Sequence, residues 1–142
     1  MKRVKEILSN KGSDVWGIRP DASVYEAVCL LAEKDIGALA VVENDNIIGI
    51  ISERDYTRRV MLKSRSSQKT KVSEIMSTNL ITVSPDDDVQ QCMESMSGRR
   101  VRHLPVLDGE KLVGMISIGD LVKAIIAEQQ STIVDLEKYI TG

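Results

Sequence analysis

Nine residues recur at one constant offset. Pro20, Asp21, Val24, Leu39, Val41, Gly49, Ile51, Ser52 and Asp55 reappear as Pro85, Asp86, Val89, Leu104, Val106, Gly114, Ile116, Ser117 and Asp120, each 65 positions on, with no gap. Conservative matches fill the same frame: Ile18 with Val83, Ile36 with Val101, Ile47 with Leu112, Ile48 with Val113. The chain is one supersecondary unit written twice. Such a unit rarely buries its apolar face alone, so the copies are expected to pack on each other, and a site in one copy is expected to have a twin.

The composition narrows the function. The 142 residues amount to about one domain. Phe is absent, so the core must be built from Val, Ile, Leu, Met and Ala, and base-stacking platforms for single-stranded nucleic acid are not expected. A net charge of −2 leaves no basic footprint for nucleic acid. Two cysteines outside any C-x-x-C pair and one histidine predict no metal site and a reducing cytoplasm. The opening residues lack the apolar run of a signal peptide, and no stretch approaches the ~20 apolar residues of a membrane span.

Each copy reads strand, helix, strand, strand, helix. The first strand is Val15 to Ile18, matched by Leu80 to Val83, and Pro20 or Pro85 ends it. The first helix opens on a capping box, Ser23 with Glu26 and Asp88 with Gln91. Its apolar face is Val24, Ala27, Val28, Leu31 in one copy and Val89, Cys92, Met93, Met96 in the other. Cys29 and Cys92 are read as small core residues rather than redox groups. A hairpin follows, Ala38 to Val42 with Ile47 to Ile51, and Leu104 to Leu107 with Leu112 to Ile116. The last helix starts near Ser52 or Ser117. Residues 63–71 carry four cations and no anion, which suits a solvated linker or a loop that approaches phosphate.

The segment able to carry chemistry is Gly-h-h-Ser-x-x-Asp, where h is apolar. It occurs at Gly49–Asp55 and Gly114–Asp120. Ser-x-x-Asp at a strand-to-helix junction is a capping box, worth about 1 kcal/mol. The same geometry has a functional reading. A helix N-terminus offers amides to phosphate, the serine adds a donor, and the carboxylate one turn in accepts both hydroxyls of a ribose. The preceding glycine would let a ligand approach the backbone.

These residues resemble a tandem pair of CBS domains. The resemblance runs through Val4-Lys-Glu-Ile-Leu and Val72-Ser-Glu-Ile-Met, Ile36-Gly37-Ala38-Leu39 and Arg102-His103-Leu104-Pro105, and both Gly-h-h-Ser-x-x-Asp segments. The wording around them is similar to small stand-alone bacterial CBS-pair proteins. It implies an α/β fold of two β-α-β-β-α repeats, residues 4–62 and 72–127, packed sheet to sheet about a pseudo-two-fold axis. Residues 63–71 link them, and residues 128–142 form a C-terminal helical extension.

The resemblance further implies a non-catalytic module with two clefts for adenosine ligands such as AMP, ADP, ATP, NAD(H) or S-adenosylmethionine, acting as an energy or redox sensor on a regulated partner. Ribose falls to Asp55 and Asp120. Phosphate falls to Ser52 and Ser117, with Arg54, Arg58 and Arg102 in reach. The base falls to Trp16, Gly37 and Ala38 in one cleft and to Ile81, Val101, His103 and Pro105 in the other. Arg102 and His103 make the second cleft the expected tighter site. His103 is read as a ligand contact or a packed residue, and Trp16 as a stacking surface or a cap on the core. The alternative is a structural module with vestigial clefts.

Beyond the repeat, Ile126, Ile133, Leu136 and Ile140 form a heptad-like stripe, and the Glu128–Thr132 stretch within it either breaks the helix in two or continues it. A homodimer through the helices is expected.

Overall fold

The computed structural model describes residues 2–12 and 14–141. In chain order the elements are α1 (Val4–Lys11), β1 (Gly17–Ile18), α2 (Val24–Lys34), β2 (Ala38–Glu43), β3 (Asn46–Ser52), α3 (Glu53–Tyr56), a π-helical turn (Thr57–Met61), α4 (Val72–Ile75), α5 (Val89–Arg99), β4 (His103–Asp108), β5 (Lys111–Ser117) and α6 (Ile118–Thr141). Among the described residues no helix is long and apolar enough to cross a membrane.

Two compact units form, and they cut across the sequence copies. One comprises Met1–Asp14, Ile81–Gly109 and Val113–Gly142; the other comprises Val15–Leu80 and Glu110–Leu112. Each joins the body of one copy to the short helix that leads the other. In the unit holding copy one, the Val72 and Ser73 amides at the start of α4 donate to the Ala22 and Pro20 carbonyls. In the unit holding copy two, the Val4 and Lys5 amides of α1 donate to Asp87 and Pro85. Glu6 and Glu74 accept from the Arg3 and Lys71 amides just ahead of their own helices, which closes each leading turn.

Each unit has its own aliphatic core, and twin positions fill twin places. Val24, Ala27, Leu31, Leu39, Val41 and Ile51 pack with Val72 and Ile75. Val89, Cys92, Met96, Leu104, Val106 and Ile116 pack with Val4, Ile7 and Leu8.

Several local expectations are corrected. Cys92, the twin of Ala27, is buried, but Cys29 is exposed. Two residues of helix turn a side chain by about 200°, which places Cys29 opposite the core face. Burial, with Asp87 and Asp88 nearby, pushes the Cys92 thiol up to about 11, so it stays protonated and inert. Asp88 caps α5 through the Gln90 amide at 2.7 Å and not through Gln91. Ser23 accepts from the Glu26 amide at 3.1 Å, as its spacing predicts.

The first strand of copy two shrinks to one parallel bridge, Val83 with Val106. In copy one the Ala40 amide donates to the Trp16 carbonyl at 3.1 Å, and β1 pairs with β2 beyond that bond. The twin of Ala40 is Pro105, which has no N–H to offer Ile81, so the ladder begins later.

The basic linker is not simply solvated. Its Thr70 and Ser67 carbonyls take the Val24 and Tyr25 amides at the start of α2, and buried Thr70 closes the loop onto Ser66 at 2.7 Å. Glu128–Thr132 stays helical, with the Thr132 hydroxyl donating to the Glu128 carbonyl, and α6 runs unbroken for 24 residues.

Candidate functional site

Each Gly-h-h-Ser-x-x-Asp segment spans the end of the hairpin's second strand and the first turn of the next helix. Ser52 and Asp55 form a closed box. The Asp55 amide donates to Ser52 Oγ at 3.2 Å, and the Ser52 amide and hydroxyl donate to Asp55 Oδ2 at 2.9 and 3.0 Å. Ser117 and Asp120 repeat it at 3.1 Å for the Asp120 amide and 2.9 Å for the Ser117 amide.

The helix ends are further tied to the head of the neighbouring strand. The Glu53 amide donates to the Gly37 carbonyl at 3.1 Å, and the Ile118 amide to the Arg102 carbonyl at 3.0 Å. These bonds bring Gly37–Ala38 to Ser52–Asp55, and Arg102–His103 to Ser117–Asp120. They also use up amides: the first and third of each helix already have acceptors. Those amides are therefore not open donors at the helix ends.

The glycines act differently from the expectation. A Cβ on Gly49 would stand 2.7 Å from Met76 Sδ and 3.0 Å from the Ser77 carbonyl; on Gly114 it would stand 2.6 and 2.9 Å from the Leu8 methyls. The missing side chains leave room for the leading segments, which pack where a Cβ would stand.

The two boxes differ in charge environment. Lys11, at the end of α1, donates to Asp120 Oδ2 at 2.7 Å and to the Met115 carbonyl at 2.9 Å. Burial alone would raise the Asp120 pKa, but hydrogen bonds from the Lys11 ammonium and the Ser117 amide outweigh it and hold the carboxyl below its ordinary value. The leading segments are offset by 68 positions (Val4 to Val72, Leu8 to Met76), so the counterpart of Lys11 is Asn79, which is uncharged. No local motif flags Lys11, because its partner lies over a hundred residues away.

The other candidates are placed as follows. Trp16 is partly exposed, with the Lys34 ammonium 4.1 Å from its ring centroid, a cation–π contact that covers one face. Gly37 is exposed and Ala38 buried. Arg54, Arg58 and Arg102 are exposed, and His103 is half-buried at the start of β4. Arg59, which the sequence reading passes over, donates to the Ile75 carbonyl at 2.9 Å. Val101 packs against the core of its unit, and Pro105 lies buried in β4. Ile81 lines a pocket of about 530 Å³ whose charged members are Asp87 and Glu94. Among the described residues no group of three or more His, Cys, Asp or Glu converges as a metal site would require.

Comparison with known proteins agrees with this architecture. The mitochondrial CBS domain-containing protein CBSX3 of Arabidopsis thaliana is 38% identical over 98% of this chain and 72% of its own length. A CBS-domain protein of Burkholderia ambifaria, described as a putative signal-transduction protein, is 50% identical with a TM-score of 0.86, over 90% of this chain and 96% of that one. The CBS domain pair of protein MJ0100, solved in complex with 5′-methylthioadenosine and S-adenosyl-L-methionine, is 25% identical with a TM-score of 0.80, over 90% of this chain and 98% of that one. The CBS domain model itself matches residues 4–62 and again 72–127, and the chain belongs to the CBS-domain family as a tandem pair.

Proposed function

We propose that the chain is a non-catalytic regulatory module that binds adenosine-containing ligands at its two Ser-x-x-Asp turns and passes the result to a partner protein. AMP, ADP, ATP and NAD(H) are the ligands favoured. The carrying observation is the duplicated turn. In both copies a half-buried carboxylate, Asp55 or Asp120, is fixed by its own serine, and the first amide of the same helix is bonded to the residue just ahead of the adjacent strand. A fixed carboxylate suits a vicinal diol, which donates two hydrogen bonds. Charged acceptors strengthen such bonds. The complex of MJ0100 with two adenosine compounds supports this class of ligand.

The ribose would rest on Asp55 or Asp120. Ser52, Arg54 and Arg58 serve phosphate in the first copy, and Ser117 and Arg102 in the second. The base would lie against Trp16, Gly37 and Ala38, or against Ile81, Val101, His103 and Pro105. A ligand moves such a module only through unequal affinity for two arrangements. Repeats of residues 4–62 and 72–127 with an associating extension at 128–142 give a homodimer, and unpaired cysteines suit the cytoplasm.

One observation favours a second reading. Both boxes are complete without a ligand, so capping alone accounts for Ser and Asp. Calorimetry with AMP, ATP, NAD, NADH, S-adenosylmethionine and 5′-methylthioadenosine separates the two. Micromolar binding, about −8 kcal/mol, is expected for at least one. Flat titrations at millimolar ligand leave the structural reading standing.

A further inference from the structure

We infer that Lys11 is a specificity-determining residue that makes the Asp120 turn select adenosine ligands bearing a 5′-phosphate over uncharged adenosines. The inference rests on the ribose reading of Asp120 and adds what that reading lacks, a cation fixed beside the carboxylate. Lys11 is held at two points, Asp120 Oδ2 and the Met115 carbonyl, so its ammonium has a defined place. It is not sealed in: its side chain is 38% exposed and that of Asp120 19%.

Both residues line a pocket of about 320 Å³ with Lys2, Lys123, Ile7 and Ala124. That volume falls in the range of small-molecule sites, ~300–1,000 Å³. Its lining residues include three lysines and two acids, Glu6 and Asp120, and Asp120 is already paired with Lys11. A neutral nucleoside would have to share Asp120 with Lys11 and return nothing to the ammonium. A 5′-phosphate gives Lys11 a second anion, so ribose and cation no longer compete for one oxygen. The first copy has Asn79 at the corresponding place, so Lys11 has no charged counterpart there.

The test uses the full chain carrying Asp55→Ala, so that binding reports the second turn. Adenosine and AMP are titrated calorimetrically into this protein and into its Lys11→Met and Lys11→Arg derivatives, each checked for fold by circular dichroism. AMP is expected to bind about tenfold or more tightly than adenosine. Ser117 and Arg102 remain for phosphate, so Lys11→Met should reduce that preference severalfold by weakening AMP without weakening adenosine, and Lys11→Arg should retain it. Equal loss of both ligands in a folded Lys11→Met protein, or unchanged AMP affinity, overturns the role of Lys11 and leaves the ribose site standing. Binding of neither ligand before Lys11 is altered overturns both.

Discussion

Leu8 sits on Gly114: a Cβ added to the glycine would stand 2.6 Å from one Leu8 methyl and 2.9 Å from the other. The contact fastens α1 to the strand that carries the second Ser-x-x-Asp turn. Met76 repeats the arrangement on Gly49. Both pairs join a leading segment to a body that belongs to the other copy.

Gly114→Ala should therefore destabilise the protein by overpacking, by about 1–3 kcal/mol. Leu8→Ala alone should also destabilise, by leaving a cavity. Combined, the two should cost clearly less than their sum, because each relieves the defect of the other. Urea unfolding of the three variants measures this. Strict additivity would show that the glycine serves something other than Leu8.

The capping role of the boxes predicts loss of stability from Asp55→Ala and from Asp120→Ala, whatever they bind. Each should cost about 1 kcal/mol, some 2–4 °C in Tm for a chain of this size. Asp120→Ala should cost more, since it also leaves Lys11 without its anion. If the carboxylates hold ribose as well, each change should also weaken adenosine ligands by about tenfold to a hundredfold. Melting and titration on the same variants separate the roles: a lower Tm with unchanged affinity would mean capping alone.

Much of this was legible from residue order because it is local. Ser23, Ser52 and Ser117 cap the helices that their spacing foretells, and the 65-residue frame places the twin core positions correctly. The exchange of leading helices was not legible. Val4-Lys-Glu-Ile and Val72-Ser-Glu-Ile are near-equivalent in sequence, and nothing local says which body each one joins. Pro105 carried a readable signal, its missing N–H opposite Ile81, that a search for apolar runs ignores. Cys29 and Cys92 share a residue type but not a place: the 65-residue frame pairs Cys92 with Ala27, and Cys29 falls off the core face. Lys11 was invisible because its meaning lies in a long-range contact.

The Asp120 carboxyl gives the fold a defined pH dependence. Its pKa is depressed in the folded chain, so it contributes stability fully above its unfolded value of about 3.9 and loses it as pH falls through the lower folded value. Asp120→Asn keeps the shape and removes the titration. The stability gap between the natural protein and this variant should be constant from pH 7 to about 5 and should close below about pH 4. Denaturant midpoints across that range measure it. A gap that persists unchanged to pH 2 would assign the stabilisation to shape rather than charge.

Helix α6 predicts the state of association. Ile126, Ile133, Leu136 and Ile140 are 48%, 54%, 57% and 81% exposed, so the chain does not bury this stripe within itself. Val122, one turn ahead of Ile126, is exposed too and extends it. Spacing of seven, three and four residues puts these side chains along one seam of the helix, the pattern by which two helices pack. Burying each large aliphatic is worth about 1.5–3 kcal/mol, and a second copy offers the same seam. The full chain should be a dimer at micromolar concentration in light scattering, and a chain ending at Ala127 should be largely monomeric. A dimer that survives the truncation would move the interface off the stripe. A monomeric full-length chain would rule out the dimer and leave the seam for a different partner.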